Sequence, residues 1–223
     1  MSARPRVEAV VPTLGASPHL ERSLDALLSQ RGVAVAVTLL EQRTVAARVP
    51  AAVRRLRAAA GRGFAAAANA GLTATAETLV ALVNDDAVVA EDWLERLCAT
   101  LLAAPGLASV QGTHRLGVAA ETAPAPRSLD GVGLAFNRWW QPVQIGRDLA
   151  LPAAPAGLDA LAPLEVLGVS ATAALYRRSA LENVRLASGT VFDERLESYY
   201  EDVDLACRLR GAGGRAAWVP GAL

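Results

Sequence analysis

The run Leu79-Val80-Ala81-Leu82-Val83 is apolar at every position, and Asn84-Asp85-Asp86 follows it at once. A strand with one wet face alternates apolar and polar residues. One that is apolar throughout must be covered on both faces, as strands are in parallel sheets flanked by helices. The rest of the first hundred residues repeats this grammar. Val7–Val11 is a short apolar run closed by Pro12. His19–Gln30 carries Leu20, Leu24, Leu27 and Leu28 at helical spacing after a Ser17-Pro18 start. Val33–Leu40 is a second, β-branched strand. The spacing then predicts an Arg-studded amphipathic helix over Pro50–Ala60, a break at Gly61-Arg62-Gly63, and a helix over Phe64–Ala76. A helix over Glu91–Ala104, ended by Pro105-Gly106, leads to a fourth strand at Ala108–Gly112. Strands and helices in alternation predict an α/β fold, with a mostly parallel twisted sheet and helices on both faces.

Residues 114–163 break the pattern. They are rich in Pro and Gly and read as loops and short hairpins forming a substrate-facing insertion. Regularity returns with a strand over Val166–Tyr176, a short helix over Ser179–Val184, a stronger helix over Glu201–Arg210 and a last strand at Arg215–Val219. Only 4% of the 223 residues are aromatic against 52% hydrophobic, so the core must be built from Ala, Val and Leu. The 22 basic residues, all Arg, balance 22 acidic ones, which argues against a chain that lives by non-specific nucleic-acid binding. Cys98 and Cys207 sit inside apolar helical patterns and read as buried small hydrophobes rather than a disulfide. Met1–Arg6 is too short and polar for a signal peptide, and no apolar run approaches the roughly 20 residues of a membrane span. The stop at Leu223, just after a strand, reads as a truncation or a domain edge.

Four constellations could carry chemistry. Asn84-Asp85-Asp86 follows a buried strand, and ligands in open parallel sheets bind beyond the carboxyl ends of the strands. Two adjacent carboxylates suit a divalent cation shared with substrate phosphates, or equally a solvated turn. Glu201-Asp202-Val203-Asp204 opens a helix. Glu201 and Asp204 fit there as dipole partners, Asp204 within reach of Arg208. The helical neighbours of Asp202 are Leu205, Ala206 and Leu209, so its carboxylate points to the apolar face, where it is costly unless used. Gly61-Arg62-Gly63 with Asn69-Ala70-Gly71 could bring backbone and a guanidinium to a phosphate, although a simple helix break explains the glycines as well. Trp139-Trp140 could stack on sugars, or simply plug the core of the insertion. His19 and His114 are isolated and fit solvated or capping roles better than metal ligation.

Taken in order, these segments resemble the family 2 glycosyltransferases, the inverting GT-A group, in its bacterial rhamnosyl- and galactofuranosyltransferase-like branch. The resemblance rests on Val10-Val11-Pro12-Thr13, Leu27-Leu28-Ser29-Gln30, the stretch Gly63 to Gly71, Leu82-Val83-Asn84-Asp85-Asp86, Phe192-Asp193-Glu194, and Tyr199-Tyr200-Glu201-Asp202-Val203-Asp204-Leu205. It implies a single GT-A, Rossmann-like domain over 1–223. Residues 1–112 would be its nucleotide-sugar half and 113–223 its acceptor half. It implies Pro12 and Thr13 in the nucleotide pocket, Asn84 at the ribose or a phosphate, and Asp85 beside the diphosphate. Asp86 would be the protein ligand of Mg²⁺ or Mn²⁺, and Asp202 the general base. Arg62, Gly63 and Asn69 fall in the donor-binding stretch. Glu41 stands where the family has an Asp that contacts the base, and Ala171 where it has a Gly.

The expectation is a metal-dependent hexosyltransferase that moves a sugar from a UDP-, dTDP- or GDP-linked donor to a glycan or lipid-linked acceptor in cell-envelope polysaccharide biosynthesis. The setting would be the cytoplasm or the inner face of the membrane. Two rivals stay open. One is a degenerate GT-A domain used for binding or scaffolding. The other is a sugar-phosphate nucleotidyltransferase, for which Pro12-Thr13-Leu14-Gly15 is a poor phosphate loop.

Overall fold

The computed structural model describes residues 4–60, 62–117, 128–150 and 157–223. The first half runs β1 (Arg6–Thr13), α1 (Leu20–Leu28), β2 (Ala34–Glu41), β3 (Arg54–Arg57), α2 (Gly63–Ala74), β4 (Leu79–Val83), α3 (Trp93–Ala103) and β5 (Leu107–Gln111). Short strands follow: β6 (His114–Arg115), β7 (Leu129–Gly131), β8 (Leu134–Phe136) and β9 (Pro142–Gln144). The chain returns to the main sheet with β10 (Leu164–Val166), β11 (Ala173–Arg177), α4 (Arg178–Asn183), α5 (Glu201–Gly211) and β12 (Arg215–Trp218).

Eight strands form the main sheet in the order β10-β12-β5-β11-β4-β1-β2-β3. β3, β2, β1 and β4 run parallel, as do β5 and β12, while β11 enters antiparallel between β4 and β5. The doubly apolar strands are covered on both sides, as their sequences require. Leu79, Ala81 and Val83 of β4 join a core with α1 and α3, while Val80 and Leu82 join a second core with α2, α4 and α5. Gly71 lets α2 lie close on β1, since a Cβ there would stand 2.3 Å from Val10 Cγ1.

The topology positions the site. Because β1, β2 and β4 are parallel, Thr13, Glu41 and Asn84 all emerge at one edge of the sheet. β11 runs the other way, so its start lies at that same edge, with Ala173 paired to Val83. The Asn84 N–H donates to Thr172 O at 2.8 Å. Residues 170–172 are thereby brought against the acidic step across a large sequence separation.

Two elements differ from expectation. The segment read as a helix over Pro50–Ala60 holds the edge strand β3. Val53 packs into one core while Leu56 and Ala58 pack into the other, so the apolar residues of this segment face opposite sides of the sheet, as an extended chain allows and a single helix face does not. A charged edge strand satisfies its backbone against β2 instead. The single strand read over Val166–Tyr176 is two strands, β10 at the sheet margin and β11 within it. Gly168 lies between them, where a Cβ would stand 2.1 Å from Ala206 Cβ. Gly61 lies outside the described residues.

Candidate active site

The side chains of the acidic step point different ways. Thr13 Oγ1, at the end of β1, donates to Asp85 Oδ2 at 2.5 Å and accepts from the Gly15 N–H at 2.8 Å. Ser17 and Ser23 donate to the backbone oxygens of Asp85 and Asn84, which ties the step to the start of α1. Burial raises the pKa of Asp85 most, the Thr13 hydrogen bond works against this, and the charge of Asp86 adds to it. Asp85 is therefore a half-buried anchor. Asp86 is exposed and is the residue at which three clefts meet.

A cleft of 440 Å³ is lined by Pro12, Thr13, Gln42, Gly63, Asn84 and Asp86. One of 570 Å³ runs from Asp86 past His19 and Arg22 to His114. One of 1110 Å³ joins Asn84 and Asp86 to Gln144, Ala171, Glu201 and Asp202. The two carboxylates singled out in the sequence thus open into one space.

Asp202 sits in the first turn of α5 with its carboxylate inward. It accepts from the Val203 N–H at 2.8 Å and the Ala171 N–H at 3.4 Å. Burial raises its pKa first of all, and these hydrogen bonds, with one from Ser170, oppose the shift. Glu201 departs from its expected role as a solvated dipole partner. It is 7% exposed, its Oε2 has no hydrogen-bond partner, and burial pushes its pKa up to about 7.

Other expected site residues are committed elsewhere. Glu41 is 3% exposed and pairs with Arg55 at 2.5 Å and Arg57 at 3.8 Å, so its carboxylate holds β3 to β2. Arg62 pairs with Glu194 at 2.8 Å on the surface. Asn69 is buried; its Nδ2 donates to Phe192 O and Glu194 Oε1, and its Oδ1 accepts from the Val191 and Phe192 N–H groups. It ties α2 to the segment before α5. Gly63 lines two walls at once. It faces the smallest of the three clefts, and with φ +71° a Cβ would stand 2.5 Å from Glu197 O. Asp204 pairs with Arg208 at 2.7 Å as the spacing predicts.

Four further residues depart from expectation. Trp139 and Trp140 are 64% and 81% exposed and plug no core. Cys207 is exposed because it falls on the outer face of α5, whereas Cys98 is buried. The ring of His114 is buried, its Nε2 within 2.9 Å of Ala173 O.

Sequence reasoning passed over Gln42. Its Nε2 donates to Gly63 O at 3.0 Å, and its buried Oε1 has no partner. The signal was strand alternation: Glu41 turns to the β3 side, which leaves the next residue to face the cleft.

The family described as glycosyltransferase like family 2 matches residues 5–223. The chain belongs to this family. No curated protein matches its sequence. Among solved structures it is similar to the mannosyltransferase PcManGT from Pyrobaculum calidifontis in complex with GDP-Man and Mn²⁺, with TM-score 0.64 and 20% identity, over 99% of this chain and 56% of that one. It is similar to S. aureus TarS 1-349, with TM-score 0.60 and 14% identity, over 95% of this chain and 57% of that one. It is also similar to GalNAc-T7 with UDP, GalNAc and Mn²⁺, with TM-score 0.71 and 12% identity, over 97% of this chain and 42% of that one. This family 2 glycosyltransferase domain therefore has the GT-A fold, and it spans between 42% and 57% of the length of these three structures. None of its helices among the described residues is long and apolar enough to cross a membrane.

Proposed function

We propose that the chain is an inverting, metal-dependent glycosyltransferase. The observation that carries this reading is the single cleft into which exposed Asp86 and enclosed Asp202 both open. The nucleotide of the donor lies in the 440 Å³ cleft beside Pro12 and Thr13, with Asn84 at its ribose or diphosphate. Gln42, rather than Glu41, meets the base, because Gln42 lines this cleft while the Glu41 carboxylate is held by Arg55 and Arg57.

No three His, Cys, Asp or Glu side chains stand together as a metal site among the described residues. Mg²⁺ and its like are commonly held by one or two carboxylates together with substrate phosphates, and Asp86 fits that donor set. A bound divalent cation supplies compensation for charge on the leaving diphosphate. PcManGT and GalNAc-T7 carry Mn²⁺ with their nucleotides, which supports the same partnership here.

Asp202 takes the proton from an acceptor hydroxyl. The acceptor oxygen then attacks the anomeric carbon as the bond to the diphosphate breaks, and the nucleoside diphosphate departs from the opposite face, which inverts the centre. The enclosed carboxylate is a stronger base than one in water because burial favours its protonated form. The N–H groups of Val203 and Ala171 keep it oriented.

The motifs point to the rhamnosyl- and galactofuranosyltransferase branch, and PcManGT holds GDP-Man. Envelope hexoses on UDP, dTDP and GDP are therefore the donors to test, with a glycan or lipid-linked acceptor at the cytoplasmic side. Calorimetric titration with UDP, dTDP and GDP, with and without Mn²⁺, checks the reading. Metal-dependent binding of one nucleotide is expected, lost in Asp86→Asn and kept in Asp202→Asn. Absence of any nucleotide binding would favour a scaffolding domain instead.

A further inference from the structure

The stretch 42–76 holds six arginines, Arg43, Arg48, Arg54, Arg55, Arg57 and Arg62, and no Asp or Glu. The whole chain balances 22 basic against 22 acidic residues, so the rest of it is net acidic. All six arginines are exposed. Carboxylates from outside the stretch meet four of them. Buried Glu41 takes both Arg55 and Arg57, Glu21 takes Arg48, and Glu194 takes Arg62. Arg54 donates to the Ala74 carbonyl, which leaves its charge uncompensated. Six guanidinium groups thus share three carboxylates in a chain whose total charge is zero.

The fold gathers this surplus at one margin. β3 is the last strand of the main sheet, with β2 as its neighbour. Side chains along a strand alternate between the two faces. Arg55 and Arg57 follow Val53 to the α1 side and meet Glu41 there, whereas Arg54 goes with Leu56 and Ala58 to the α2 side. The surface that the two sets share is the edge of the sheet. Arg43 and Arg48 lie on the connection from β2 to β3. Ala46, Ala51, Ala52, Ala59 and Ala60 are exposed among the arginines. Their short side chains leave the long guanidinium arms standing clear, so a broad surface can come close.

Guanidinium groups favour phosphate, and the shape of the patch discriminates among phosphate-bearing partners. A free nucleotide or phosphate needs a concave seat, and none of the three clefts at Asp86 is lined by these arginines. A nucleic acid extends past such a patch, and the net acidic remainder of the chain repels it. A peptide strand added to β3 meets arginines at the very edge where charged side chains guard against pairing. An anionic bilayer fits every feature. It is flat, it touches one margin only, and it leaves the acidic remainder facing water. We propose that the β3 margin docks this domain on a bilayer surface through the phosphates of anionic lipid headgroups. This rests on the charge distribution and not on the transferase reading, so either can fail without the other.

The full chain is mixed with phosphatidylcholine vesicles, with and without phosphatidylglycerol, and co-sedimentation is measured at about 0.05 M and about 0.5 M salt. Partition onto the phosphatidylglycerol vesicles should exceed that onto phosphatidylcholine alone by tenfold or more at the lower salt, and should vanish at the higher. Each basic residue near an anionic surface is worth about fivefold in partition. Arg43→Gln/Arg54→Gln/Arg57→Gln should therefore bind at least tenfold more weakly. Arg55 is left in place because it holds β3 to β2 through Glu41. Arg43→Gln alone, which leaves β3 untouched, should cost about fivefold whether or not the triple variant folds as the parent does. Arg31→Gln/Arg195→Gln/Arg210→Gln, which removes the same charge from exposed positions elsewhere, should bind as the parent does.

No preference for phosphatidylglycerol overturns the proposal, as does full binding by the β3 variants. An equal loss in the Arg31/Arg195/Arg210 variant would reduce the effect to net charge and overturns it too. So does binding that disappears only in Trp139→Ala/Trp140→Ala, which would move the docking surface to the β8–β9 hairpin. Capture of duplex DNA or of RNA at the same salt, as tight as that of the vesicles, would make the margin a nucleic-acid surface instead.

Discussion

The proposed donor side and the proposed acceptor side of this domain are made differently. The donor side is an outcome of the sheet. Pro12, Thr13 and Asn84 reach the cleft because β1 and β4 are parallel and end at the same edge. Their backbones are unstrained and their side chains tie the scaffold, as Thr13 does with Asp85. The acceptor side is assembled from segments with little regular structure, held in left-handed conformations, with two enclosed carboxylates and unsatisfied acceptors. Generic phosphate chemistry can be met by strand ends and one exposed Asp86. On the proposed reading, discrimination among hydroxyl-bearing acceptors needs shape, which the turns with positive φ would provide.

The sharpest way to break this comparison is to remove one carboxylate from each side. Asp202→Asn should lower the transfer rate by about 10²- to 10⁴-fold, the usual worth of a general base, with nucleotide affinity unchanged. Asp86→Asn should act earlier, through loss of metal-dependent nucleotide binding. A steady-state comparison on a proven donor and acceptor, with calorimetry for the nucleotide, checks both. Equal effects of the two substitutions on nucleotide binding would dissolve the distinction between the sides.

Asn69 tests the joint between the halves. It bridges α2 to residues 191–194 by four hydrogen bonds in the interior. Asn69→Leu leaves buried backbone groups without partners, and a loss of roughly 3 kcal/mol or more in urea unfolding is expected. Asn84→Ala, on an open strand end, should cost far less stability and show itself in donor affinity.

Glu201 supplies a pH test peculiar to the acceptor side. Its folded pKa is about 7, above the ordinary 4.5. Between those values the native chain holds a proton that the unfolded chain has released. Its contribution to stability is thus fully present below about 4.5 and is lost as the pH rises through about 7. Glu201→Gln should flatten that fall, by a few kcal/mol at most, in chemical unfolding followed from pH 5 to 8. Asp85, half-buried on the donor side, should show a weaker trend of the same sign.

The unequal construction explains what the sequence disclosed. Strands β1, β2, β4, β5 and β12 and helices α1, α2, α3 and α5 were legible because burial on two faces, or on one helical face, writes a period into the residues. The inward turn of Asp202 was legible for the same reason, from Leu205, Ala206 and Leu209. β3 was not, since three arginines in four residues carry no period and pairing with β2 decided the outcome. The enclosure of Glu201, the exposure of Trp139 and Trp140 and the break between β10 and β11 depend on contacts between segments far apart in the chain. Glu41 and Gln42 show the limit most closely. The motif drew attention to the carboxylate, yet Arg55 claims it, and the neighbouring amide is left facing the cleft.

Arg62 offers the smallest and most discriminating effect. Its pair with Glu194 is exposed, and such pairs contribute about 0–1 kcal/mol. Arg62→Ala should therefore leave the unfolding midpoint nearly unchanged. What it does to nucleotide affinity decides which side of the molecule the residue serves. If Arg62 leaves Glu194 for the donor diphosphate, affinity falls severalfold, and the fall is larger at low salt because the interaction is exposed to screening. If it is only a clasp between the start of α2 and the segment before α5, affinity is unchanged at every ionic strength. Parallel titrations of the parent and Arg62→Ala at low and at physiological salt separate the two. A salt-dependent loss would extend the donor side beyond the strand ends, to a residue held near the cleft by Glu194 until the nucleotide arrives.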